Sequence, residues 1–81
     1  MDNKEANKFV NDNLKGKTIR EAYYMTKEET ALFGWYKSAV VIEFTDGTIM
    51  IPQCDDEGND GGALWLKKGN EVHSEVVIGT M

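Results

Sequence analysis

The stretch that decides the fold is "AVVIEFTDGTIMIP", Ala39 to Pro52. Asp-Gly between two apolar runs is the strongest short-range signal for a β-hairpin. A two-residue turn at Asp46-Gly47 sets Thr45 opposite Thr48, Phe44 opposite Ile49 and Ile42 opposite Ile51. That register puts Ile42, Phe44, Ile49 and Ile51 on one face, which must be the core face. Val41, Glu43 and Met50 take the other. Pro52 cannot donate to a strand ladder, so it ends the second strand or places it at an edge.

Working outward, "KTIREAYYM" upstream reads as a first strand from its β-branched and aromatic content. Between it and the hairpin lies "TKEETALFG". Thr26 with Glu29 three residues on is a capping box, and Gly34 is a natural stop, so a helix of about two turns is predicted. Residues 3–14 form an amphipathic helix with Ala6, Phe9, Val10 and Leu14 on one stripe. Asp2 or Asn3 caps it and Gly16 ends it. Downstream, "ALWLKK" reads as a short strand or a helical turn, and "EVHSEVVIG" as a last strand. The expected architecture is α+β: one domain over 1–81, with an antiparallel sheet of about four strands and the N-terminal helix packed on one face.

Size and charge limit function. A chain of 81 residues buries only roughly 60–65% of its unfolded surface, so pairing with another copy is an economical way to gain stability. A homo-oligomer is expected. The net charge is −5, and the excess is all in the middle. Residues 38–66 carry no Lys or Arg and six acids, whereas 1–37 carry seven bases against six acids. This excludes non-specific nucleic-acid binding, which needs clustered cations to displace counterions. No apolar run approaches the ~20 residues of a membrane span. The charged start, "MDNKEANKFV", is unlike a secretory signal, and the single Cys54 suits a reducing compartment. A cytoplasmic location is expected.

The acids concentrate in "QCDDEGNDGGALW", Gln53 to Trp65. A calcium loop of the EF-hand type fails here in both registers. From Asp56 the twelfth position is Lys67, and from Asp55 the sixth is Asp60 rather than Gly. A looser oxygen site from Asp55, Asp56, Glu57 and Asp60 remains open, but no metal and no cofactor is predicted. Catalysis is not expected either. Cys54 and His73 lie nineteen residues apart with no serine motif or glycine elbow, and His73 falls in a polar phase of a strand.

Binding is the better reading. Gly61 and Gly62 let backbone approach a ligand, with free N–H groups that favour an anion. Trp35, Tyr36 and Trp65 can stack on a base, and Arg20 and Lys37 can meet phosphates. The predicted ligand is nucleotide-like. The alternative is an acidic interaction patch of Asp55, Asp56, Glu57 and Asp60 that inhibits a host protein or imitates nucleic acid, with the tryptophans as anchors.

Arg20 to Trp65 also resembles a family of small phage and bacterial proteins. Their pattern runs through T-x-E-E, a GW pair, a DGT hairpin and DDEGNDxGAL before an aromatic. Here these are Thr26, Glu28, Glu29, Gly34, Trp35, Asp46, Gly47 and Thr48, then Asp55 through Trp65. The family's LGW carries one inserted residue here, Phe33. The resemblance implies a class rather than an activity: accessory proteins that bind a host component, some of them counter-defence oligomers that sequester nucleotide signals.

Overall fold

Asp46 and Gly47 do turn the chain, but through three residues rather than two. In a computed structural model describing residues 2–67 and 75–81, Gly47 lies in the left-handed region at φ 91°. Its N–H donates to the Phe44 carbonyl at 3.1 Å, and Phe44 N–H donates to the Thr48 carbonyl at 2.9 Å. Thr45, Asp46 and Gly47 form the loop, the arrangement in which a left-handed glycine closes a three-residue hairpin. Asp46 secures it by accepting from Thr48 N–H at 3.0 Å and Thr48 Oγ1 at 2.6 Å.

The added loop residue corrects the expected register by one. Strand β2 (Val40–Phe44) pairs with β3 (Ile49–Met50) as Ile42 with Met50 and Glu43 with Ile49. A slip of one residue moves a whole strand to the other face. Ile42 and Phe44 are buried as expected, but Ile49 is exposed beside Glu43 and Met50 takes its place.

β2 is the middle strand of a three-stranded antiparallel sheet, with β1 (Ile19–Tyr24) on its other side. Val40, Val41, Ile42 and Phe44 are all buried, the near-continuous apolar run of a strand covered on both faces. Met25, Ala39 and Val41 form the core cluster, with Trp35 and Ile51 packed against it. A bulge at Arg20 sets Ile19 opposite Phe44 but Glu21 opposite Glu43. Two carboxylates facing each other repel, and the bulge supplies the remedy. The Arg20 guanidinium lies 2.5 Å from Glu43 and 3.5 Å from Glu21.

Helix α2 (Lys27–Leu32) is built as its sequence predicts. The Thr26 hydroxyl accepts from Glu29 N–H at 3.1 Å, and the Glu29 carboxylate accepts from Thr26 N–H at 3.0 Å. Gly34, at φ 75°, ends it in the left-handed conformation that L side chains resist. Trp35 follows at once and turns back onto the core.

The α+β class holds, with two differences from the expected plan. Among the described residues the strands form two sheets, because β4 (Leu64–Lys67) and β5 (Glu75–Ile78) pair only with each other. The predicted final strand begins at Glu71, and its first four residues, His73 among them, lie outside the described residues. Helix α1 (Asn3–Leu14), capped by Asp2, buries none of its residues. It does not pack its stripe on the sheet as expected: Phe9 stays 62% exposed, with Val10 and Leu14 also exposed.

Candidate interaction surface

The loop after β3 is a self-braced ring. Gln53 and Gly61 form an isolated antiparallel bridge at its neck. Cys54 N–H donates to the Asp60 carbonyl at 3.0 Å, and Gly62 N–H to the Pro52 carbonyl at 2.9 Å. Inside the ring, Asp55 Oδ1 accepts from Glu57 N–H at 3.0 Å and Asn59 N–H at 3.3 Å. Its Oδ2 accepts from Asn59 Nδ2 at 2.8 Å. This is an Asp side chain satisfying its own turn, and the Asn59 amide and backbone hold its carboxyl below the usual range.

Two contacts fasten the ring to the segment after α2. Trp35 Nε1 donates to the Gly58 carbonyl at 2.7 Å. Asp60 Oδ1 accepts from Lys37 N–H at 2.9 Å, Tyr36 N–H at 3.2 Å and Gly61 N–H at 2.8 Å. Three donors on one oxygen favour the ionised form, so the Asp60 carboxyl titrates below its ordinary range, with the Lys37 amide the largest cause. Gly61 is buried where the ring meets the Lys37–Ala39 backbone.

A titration tests this latch. A depressed folded-state pKa contributes stability above the unfolded value, about 3.9 for Asp, and that contribution is lost as pH falls through the folded value. Asp60→Asn has no proton to gain. We expect it to be less stable than wild type at pH 7 and to approach wild type as pH drops below about 4. Urea midpoints across that range check this; parallel curves for the two proteins would rule out the latch as the source.

The predicted ligand residues do not converge. The Gly61 and Gly62 N–H groups are taken by Asp60 Oδ1 and the Pro52 carbonyl, so neither is free for an anion, which corrects the role expected of them. Arg20 is held by Glu43 on the sheet. Trp65 lies on β4, and the Lys37 backbone serves the latch. Only Trp35 and Tyr36 border a common space, a cleft of about 270 Å³ shared with Lys27, Thr30, Ser38 and Met81. Two of its lining residues are tied together, since Ser38 and Met81 exchange both backbone hydrogen bonds, at 2.7 and 2.8 Å.

Of the acids, Asp55 and Asp60 accept backbone N–H groups, and Asp55, Asp56 and Glu57 are all exposed, with Asp60 half-buried. Among the described residues no three His, Cys, Asp or Glu side chains gather as a metal site requires, and no helix is long and apolar enough to cross a membrane. Beside the ring stand exposed apolar side chains. Tyr36 is 94% exposed and Leu32 87%. Phe33 stacks on Trp35 at 5.2 Å with one face open to solvent. The separate duties of the four acids were not legible in the sequence, because the partners of Asp60 lie more than twenty residues away. No family model, curated protein or solved structure matches the chain.

Proposed function

We propose that this protein acts by binding a basic protein partner through the surface formed by Leu32, Phe33 and Tyr36 and the outer carboxylates Asp56 and Glu57. The observation that carries the reading is the latch. Trp35 and Asp60 tie the acidic ring to the aromatic segment through three hydrogen bonds, so two surface features distant in sequence become one rigid patch. Ordering is a main cost of association, and a patch ordered beforehand avoids it. Among the described residues neither Asp56 nor Glu57 is in an ion pair. Their field is available to steer a cationic partner. This is the behaviour of an accessory inhibitor of a host protein.

A photo-crosslinking residue in place of Tyr36 tests it. A basic host protein should be captured at low salt. Asp56→Asn with Glu57→Gln should reduce that capture roughly tenfold, and salt should screen the difference away. Capture indifferent to both salt and the double substitution would end this reading.

A second reading, sequestration of a nucleotide-like molecule in a counter-defence role, draws support from the cleft. Trp35 and Tyr36 border it together with Lys27. At about 270 Å³ it suits a base rather than a whole nucleotide, lying just under the usual ~300–1,000 Å³ range. Cyclic and linear nucleotides should then raise the melting temperature. No shift with any of them would retire the idea.

A further inference from the structure

Strand β1 is the outer strand of its sheet, and among the described residues β2 is the only strand paired with it. Its outward backbone groups can be located. Met25 N–H donates to the Ala39 carbonyl at 3.0 Å, so Met25 directs its backbone to the β2 side. Alternate residues of an antiparallel strand share that direction. Tyr23 and Glu21 therefore bond to β2, and Ala22 and Tyr24 turn their N–H and carbonyl groups outward. The far side of β2 agrees. Phe44 N–H donates to the Thr48 carbonyl, so Phe44 and Ile42 face β3, which leaves Glu43 and Val41 to face β1. Ala22 is exposed, and among the described residues no hydrogen bond from another loop or strand reaches its backbone.

The two edges of this sheet differ. β3 is two residues long and runs on to Pro52, which has no N–H, and shortness and proline are the usual means of blunting an edge. β1 is six residues long and holds neither proline nor lysine. Its bulge at Arg20 interrupts only its beginning. A long open edge is a template for another strand.

We propose that this other strand is β1 of a second copy, paired antiparallel about a two-fold axis at Ala22, so that two three-stranded sheets become one. The side chains select both the occupant and the register. A two-fold axis normal to a sheet sets one residue opposite itself. An axis at Glu21 would oppose two carboxylates, which repel. An axis at Tyr23 would bring the Glu21 carboxylate level with the partner's Met25, which is buried in the core. An axis at Ala22 puts the smallest side chain of the strand at the centre and lets the two Ala22 residues exchange N–H···O=C bonds. Each Glu21 then lies opposite the partner's Tyr23, and each Tyr24 comes level with the partner's Arg20, so no like charges meet. β1 is in this way its own complement, which an arbitrary strand is not.

Light scattering on the full-length protein is expected to give twice the 9.1 kDa chain mass. Ala22→Pro removes an N–H that β2 does not use, so the mass should halve while circular dichroism shows the sheet retained. Cysteine crosslinking reads the register in a Cys54→Ser background, which removes the exposed native thiol. Ala22→Cys should link to itself, since a hydrogen-bonded pair sets its Cα atoms about 5.5 Å apart and disulfides span about 4.4–6.8 Å. Glu21→Cys and Tyr23→Cys should link to each other on mixing and little when either is alone. A monomeric wild-type chain overturns the proposal. So does an Ala22→Cys protein that crosslinks no faster than Ile49→Cys, at an exposed position on the opposite edge, whatever Ala22→Pro does to folding. A Tyr23→Cys protein that links readily to itself overturns the axis at Ala22.

Discussion

Gly61→Ala is expected to destabilise the protein by about 2–3 kcal/mol, near the top of the range for overpacking a filled site. A Cβ at position 61 would sit 2.8 Å from the Lys37 carbonyl oxygen and 3.1 Å from Ala39 Cβ. Neither neighbour yields readily. Lys37 is held by its N–H bond to Asp60, and Ala39 is completely buried. For a domain of this size the melting temperature should fall by roughly 10–20 °C. Gly79→Ala is the control. Nothing lies within 4 Å of its Cβ position, so the substitution should leave the midpoint nearly unchanged. A Gly61→Ala protein as stable as wild type would mean that the acidic ring does not dock closely on the Lys37–Ala39 segment, and the latch would fall with it.

Trp35→Ala should cost about 3 kcal/mol, at the lower end for removing a large aromatic because the ring is only half-buried. The indole covers Met25, Ala39 and Val41, and its N–H fills the Gly58 carbonyl. Trp35→Phe separates the two roles. It keeps most of the apolar cover and leaves the Gly58 carbonyl without its donor, at about 1 kcal/mol. Chemical denaturation of the two variants beside wild type measures both. If the proposed surface depends on the latch, Trp35→Phe should also weaken partner capture through Tyr36 with Asp56 and Glu57 untouched. Equal stability of the Phe and Ala variants would show that the apolar cover is worth little and the hydrogen bond carries the contact.

Much of the fold is written locally. The Thr26–Glu29 box, the Gly34 stop and the Asp2 cap are contacts between residues three apart, and each forms as its sequence pattern requires. The hairpin was legible in place but not in register. Asp-Gly serves both a two-residue turn and a three-residue loop closed by a left-handed glycine, and these differ by the single residue that sends Ile49 outward. The Arg20 bulge was hidden for a similar reason. Glu21 and Glu43 are 22 positions apart in the chain, and only their pairing across the sheet creates the repulsion that Arg20 relieves.

By itself, then, the sequence determined the helices with their caps, the strand-forming segments, the acidic middle and the amphipathic stripe of α1. Each of these follows from periodicity or from chemistry within a turn or two of chain. The tertiary structure alone decided what Asp60 and the glycines Gly61 and Gly62 are for, whereas Asp55 serves its own turn. Of four carboxylates that look alike in sequence, Asp55 and Asp60 take up backbone N–H groups, and only Asp60 of the four is partly buried. Gly61 and Gly62 become points of close approach between loops rather than a cradle for an anion. The physical reason is range. Caps and turns are satisfied by neighbours in the chain, whereas a buried N–H, a docked indole or an uncovered helix stripe is satisfied only by what folding brings alongside.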